Sequence, residues 1–113
     1  MEIQKERVGE AYVVTVNGRL DGIYSTAFAK QVGELITGVH PKILIDFTDI
    51  DYVSSAGLRA ILAAAKRIKS AGGRLAICSP KKQVKEIFDV TGCMTLLDIF
   101  PTFEAAVAHL AMK

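Results

Sequence analysis

Two hydroxyls, three carboxylates, two thiols and two imidazoles are the side chains here whose types and spacing could do chemistry. The segment Asp51-Tyr52-Val53-Ser54-Ser55-Ala56-Gly57-Leu58-Arg59 puts paired serines where a polar stretch gives way to helical periodicity. Asp46, Asp49 and Asp51 gather at and beyond the end of an apolar run. Carboxylates there could hold Mg²⁺, because open α/β sheets bind ligands outside the carboxyl ends of their strands. No EF-hand spacing accompanies them, and local turns and caps are the simpler role for such loop carboxylates.

The other chemistries fail on spacing. Cys78 and Cys93 form neither a CxxC nor a Cys/His pattern, so they read as two thiols in a reducing cytoplasm, with no metal site. His40 sits beside a proline in a turn and His109 near the end of the last helix. Neither is placed to activate Ser54 or Ser55 as a nucleophile. No GxGxxG or GxxxxGK[ST] occurs, so the usual phosphate cradles are missing and no cofactor is expected. A phosphoacceptor receiver would need acidic residues after its first strand, where this chain has Asn17-Gly18-Arg19. The sequence therefore points away from an enzyme and names no catalytic residue.

What remains is the serine turn. One serine is accounted for as an N-cap, its oxygen accepting from a free N–H of the first helical turn, while Ala56-Gly57 admits a second backbone closely. Phosphorylation would add about −1.5 to −2 charge beside the helix N-terminus, which tolerates it, whereas a partner's apolar surface would not. Such a turn can switch an interface without reshaping the fold.

These residues must be positioned by the elements around them. Ala11–Asn17 is rich in β-branched residues and pairs as a hairpin with an edge strand at 2–8 through Gly9-Glu10. Phe28, Val32, Leu35 and Ile36 trace a helix that Ser25 can cap and Gly38 follows. Lys42–Phe47 is an apolar run expected at the middle of the sheet, and 48–53 reads as a loop leading to the serines. In the second helix Leu58, Ile61, Leu62, Ala65 and Ile68 form an inner stripe, with Ala60, Ala63 and Ala64 on a low-relief outer face suited to docking. Gly72-Gly73 stops that helix. Leu75–Cys78 is a strand, Ser79 caps a third helix with Pro80 at its first position, and Val84, Ile87, Phe88 and Thr91 face inward. A strand around Thr95–Phe100 and a helix carrying Phe103, Ala106, Val107 and Leu110 complete the order ββαβαβαβα. The fold class is α/β, with a mixed, mostly parallel sheet packed with helices.

The 113 residues suffice for one domain, 1–113, and half of them are hydrophobic, as in a folded globular protein. Fourteen basic against twelve acidic side chains leave +2, too little excess for a dedicated nucleic-acid binder. Arg59, Lys66, Arg67 and Lys69 on the second helix, and Lys81, Lys82 and Lys85 on the third, read as solvated faces. No apolar run is long enough to span a membrane, and the charged N-terminus does not resemble an export signal. A cytoplasmic protein is expected.

Gly18-Arg19-Leu20-Asp21, the strand Ile43–Phe47 and above all Tyr52–Arg59 resemble the STAS domain of bacterial anti-sigma-factor antagonists, and the similarity runs end to end. The resemblance implies a binding protein that, when unphosphorylated, captures an anti-sigma factor with serine kinase activity. That kinase would phosphorylate the turn using ATP, and a PP2C-type phosphatase would reverse it. The family's turn reads Asp-Ser-Ser/Thr-Gly or Asp-Ser-Ala-Gly; here Ser54 stands in the acidic position. Alignment on Gly57 makes Ser55 the phosphoacceptor, with Ser54 second. The implied binding surface comprises Asp21, Asp51, Tyr52, Ser54, Ser55, Ala56, Gly57, Arg59 and the outer side of the second helix. A STAS scaffold in another signalling assembly, or a domain like those in the cytoplasmic tails of anion transporters, is the alternative.

Overall fold

A computed structural model describes residues 2–92 and 97–111. Its elements run β1 (Glu2–Val8), β2 (Ala11–Leu20), α1 (Ser25–Gly33), β3 (Lys42–Val53), α2 (Ser55–Ser70), β4 (Arg74–Cys78), α3 (Lys82–Thr91), β5 (Ile99–Phe100) and α4 (Phe103–Ala111). The α/β class and the ββαβαβαβα order are those expected from the sequence. The strands lie in the order β1-β2-β3-β4-β5, with β1 antiparallel to β2 and every other pair parallel.

That order decides the layering. Each crossover from β2 to β5 moves one strand in the same direction, and right-handed connections then put their helices on one face. Phe28 and Val32 of α1, Ile61 and Ile68 of α2, and Val84 and Phe88 of α3 accordingly share one core with Ile43, Ile45 and Phe47 of β3. Phe47 and Phe88 stack with ring centroids 6.0 Å apart. The terminal helix α4 is no crossover and covers the other face, where Ala106 and Leu110 meet Val13, Leu44, Ala76 and Cys78. The central strand is thus buried from both sides, as the consecutive apolar residues Ile43, Leu44 and Ile45 require. At the edge, β1 carries Glu2, Lys5, Glu6 and Arg7, charges that blunt an exposed strand against further pairing.

Several local expectations give way. The segment 48–53 continues β3 instead of looping, because it pairs with Asn17–Leu20 of a longer β2. The register shifts twice, and at each shift β3 holds one residue more than β2. These bulges turn the burial rhythm from two to three, so that Phe47, Ile50 and Val53 point inward. Of β3, β4 pairs only with Lys42–Asp46, which leaves the far half of β3 and the end of β2 as a two-stranded arm.

Helix α1 ends at Gly33, well short of Gly38, and Tyr24 is its N-cap residue, so Ser25 lies inside it. The N-cap residue of α3 is Lys81, and Ser79 stands before it at φ 57°, its hydroxyl donating to the Pro101 carbonyl. Thr91 is exposed at the end of α3, and its hydroxyl donates back to the Ile87 carbonyl. In α2, Ala64 is buried and Ala60 packs against the core, because α1 lies alongside and widens the buried arc. Of the three alanines assigned to an outer face, only Ala63 is exposed. The last strand is Ile99–Phe100; the start expected for it at Thr95, and Cys93, lie outside the described residues. No helix among the described residues is long and apolar enough to cross a membrane.

Candidate functional site

The two-stranded arm delivers Leu20 and Val53 side by side, so the loop after β2 and the turn before α2 emerge together. The Ser54 amide donates to the Leu20 carbonyl at 2.9 Å, tying one to the other. Gly57 packs directly on that carbonyl: a Cβ built at Gly57 would lie 2.3 Å from the Leu20 oxygen. Gly22 faces Ala56 across the same seam. The glycine in the serine turn is therefore a close-approach residue.

The two serines have different jobs. Ser54 is extended, with φ −83° and ψ 174°, and its Oγ accepts from the Gly57 amide at 3.1 Å, which makes it the N-cap of α2. Ser55 is the first helical residue, exposed, and its hydroxyl makes no hydrogen bond among the described residues. No acidic side chain sits in the first turn of α2, so the positive end of its dipole is uncompensated there. Arg59, exposed and four residues on, lies on the same helix face as Ser55. Ser54→Ala is expected to lower stability by about 1 kcal/mol, the worth of an N-cap, while Ser55→Ala leaves it within a few tenths. Urea denaturation of the two variants side by side checks the contrast.

Asp21 is spent inside its own loop. Its Oδ1 accepts from the amides of Ile23 and Tyr24 at 3.0 and 3.3 Å, and its Oδ2 lies 3.9 Å from Arg19 Nε. The carboxylate thereby holds Ile23 and Tyr24 outward, the former 79% exposed. Arg19 also lies over the Tyr52 ring, 4.5 Å from its centroid, across the β2–β3 pairing. On the two segments that the Ser54–Leu20 hydrogen bond ties together, Ile23, Tyr24 and Tyr52 are large side chains left exposed. The sequence reading missed Arg19, Ile23 and Tyr24. The available signal was an isoleucine and a tyrosine next to Asp21-Gly22, a turn dipeptide where large apolar residues have no core to enter.

The three aspartates do not act as one group. Asp46 Oδ1 accepts from the Thr48 amide, Asp49 is exposed, and Asp51 pairs with Lys81 Nζ at 2.5 Å. Lys81 is thus a partner of the 51–59 segment and not only a solvated side chain. No cluster of three metal-ligating side chains occurs among the described residues. His40 lies at the opposite end of the sheet, where it meets Gly72, and His109 pairs with Asp98.

Cys78 is fully buried, and burial, reinforced by the Asp46 carboxylate, pushes its thiol from 9.0 up to about 11. The thiolate is the reactive form, so native Cys78 should resist alkylation at neutral pH and react once the chain unfolds. A folded-state value above the unfolded one means a contribution to stability that is whole below pH 9.0 and is lost as pH rises to about 11. Alkylation mapped by mass spectrometry, with urea melts across that range, tests both.

Fold and turn together define a small α/β module that offers one free hydroxyl at a helix N-terminus, flanked by exposed apolar side chains. The chain belongs to the STAS domain family, whose model matches residues 2–106. Among its relatives is a Bordetella bronchiseptica protein named "Putative anti-sigma factor antagonist BtrV", 34% identical over 93 residues that span 79% of this chain and 80% of that one. A Thermotoga maritima structure also titled as an anti-sigma factor antagonist superposes with a TM-score of 0.90 at 23% identity, covering 97% of this chain and 95% of that one. The Bacillus cell fate determinant SpoIIAA in its phosphorylated form gives 0.73 at 20% identity, over 96% and 98%.

Proposed function

We propose that this protein is an anti-sigma-factor antagonist whose partner binding is switched by phosphorylation of Ser55. The observation that carries the reading is the division of labour in the turn: Ser54 is consumed as the helix cap, and Ser55 is exposed and unbonded. The names of the relatives support the general role, and the phosphorylated form recorded for SpoIIAA supports a switch of this chemistry. The partner is an anti-sigma factor with serine kinase activity, and a PP2C-type phosphatase reverses the modification.

In the forward step Ser55 Oγ attacks the γ-phosphorus of ATP, the bond to ADP breaks, and the hydroxyl proton leaves to the kinase or solvent. The kinase supplies the base and the metal; this chain supplies an accessible nucleophile. The binding face comprises the turn 51–57, Arg59, and the Ile23–Tyr24 loop that Asp21 positions. The protein acts without catalysis of its own and in the cytoplasm, where ATP and the sigma factors are.

The test is labelling with ATP and the cognate kinase, followed by fragmentation mass spectrometry. Phosphate is expected on Ser55, and Ser55→Ala should abolish it while Ser54→Ala retains it. Labelling on Ser54 alone, or undiminished labelling of Ser55→Ala, would sink the assignment. No labelling and no binding would favour a STAS scaffold in a different assembly.

A further inference from the structure

At the end of the sheet where β3 and β4 begin, away from the serine turn, three connections converge on an open cleft of about 600 Å³. The β1–β2 hairpin brings Arg7 and Glu10, the α1–β3 connection brings His40 and Lys42, and the α2–β4 turn brings Arg74. Three cations thus face one carboxylate, and Lys42 pairs with that carboxylate at 3.2 Å. The two guanidiniums are oriented by neutral groups only. Arg7 donates to the Gly9 carbonyl and the Tyr12 hydroxyl, and Arg74 to the His109 carbonyl, at 3.2 to 3.3 Å. Among the described residues neither has a carboxylate partner.

The wall between them is built to hold its shape. His40 takes a left-handed backbone, φ 59°, uncommon for a residue with a side chain. It is pinned twice to the neighbouring turn: its amide donates to the Ala71 carbonyl at 3.1 Å, and its Nδ1 donates to the Gly72 carbonyl at 2.8 Å. Gly72 and Gly73 make this approach feasible. A Cβ at Gly72 would lie 2.7 Å from His40 Nδ1, and one at Gly73 would lie 2.0 Å from the Pro41 oxygen. Strained backbone persists where surrounding structure over-determines it, often at ligand clamps.

We infer that this cleft binds a small polyanion carrying phosphoryl or carboxylate groups. Planar guanidiniums match both groups bidentately, and two of them held on separate strands, β1 and β4, favour a ligand with two charged ends. The volume lies within the usual range of small-molecule sites, and it is a concave space that a ligand can enter.

The test is amide NMR titration of the intact chain with inorganic pyrophosphate and, separately, with citrate, at constant ionic strength. Saturable shifts confined to the hairpin around Arg7, to His40 and to the 72–74 turn are expected from at least one of them. Stronger binding of pyrophosphate assigns phosphoryl ligands, and stronger binding of citrate assigns carboxylates. Arg7→Gln and Arg74→Gln should each weaken binding about tenfold, the loss of one charge-assisted contact. Arg7→Gln, in an exposed hairpin, keeps the test valid if Arg74→Gln folds poorly. No saturable shift with either anion, shifts unchanged in Arg7→Gln, or shifts centred on Ser54–Ala56 would overturn the inference.

Discussion

Phosphorylation of Ser55 is expected to weaken partner binding about a thousandfold, roughly 4 kcal/mol, while leaving the free protein folded. The asymmetry follows from where the charge would sit. In the free protein the phosphate stands in water at the first residue of α2, beside a dipole end with no competing carboxylate and one helical turn from Arg59. Those contacts are worth a few tenths to about 1 kcal/mol, and they are stabilising. In the complex the same dianion would be enclosed by the partner on a face that also exposes Ile23, Tyr24 and Tyr52. Removing it from water without a matched cation costs several kcal/mol. Calorimetric titration of the modified and unmodified proteins against one purified partner measures the difference. Ser55→Ala should bind as the unmodified protein does, and Ser55→Asp should fall between, since it carries one charge instead of two. Equal affinity of the two forms would remove the switch.

Gly57→Ala is the second large effect, and its sign opposes what local propensity dictates. In a helix interior, alanine is favoured over glycine by about 1 kcal/mol. Here the added methyl would lie 2.3 Å from the Leu20 carbonyl oxygen and 3.0 Å from the Leu20 Cγ. That carbonyl cannot swing away cheaply, because it accepts the Ser54 amide and Leu20 itself is fully buried. The helix start must lift off the β2–β3 arm, which breaks the Leu20–Ser54 hydrogen bond and uncovers Leu58. A net loss of about 3 kcal/mol is expected, at the upper end of overpacking costs, with Tm lower by roughly 10 °C. Thermal unfolding by circular dichroism is sufficient to see it. A variant as stable as the parent would mean that Gly57 is no close-approach residue. Because the same seam sets the distance between the Ile23–Tyr24 loop and Ser55, partner affinity should fall with it even below the melting range.

The sequence by itself determined the element order and the α/β class, and it singled out the serine turn on which the proposed switch rests. Each rests on information that local residues hold: the change of period at Phe28 and Leu58, the largely apolar run Ile43–Phe47, and a serine placed to cap a helix. The choice of Ser55 over Ser54 came from likeness of the turn to a family pattern. Its physical counterpart, one hydroxyl engaged and one free, appears only in three dimensions.

Tertiary structure decided what the local pattern left ambiguous. Residues 48–53 hold acidic side chains that strands disfavour, and bulges replace their twofold rhythm with a threefold one, so only pairing with Asn17–Leu20 makes them a strand. Alanine is compatible with core and with solvent, so the inward placement of Ala64 depended on α1 packing alongside. Ser25 and Ser79 are plausible caps by type, but capping is a property of backbone angles, and these put Tyr24 and Lys81 at the helix starts. The proposed binding face needed the fold most of all. Leu20 and Ser54 are far apart along the chain, and the parallel register of β2 and β3 is what brings the loop after β2 and the turn before α2 together.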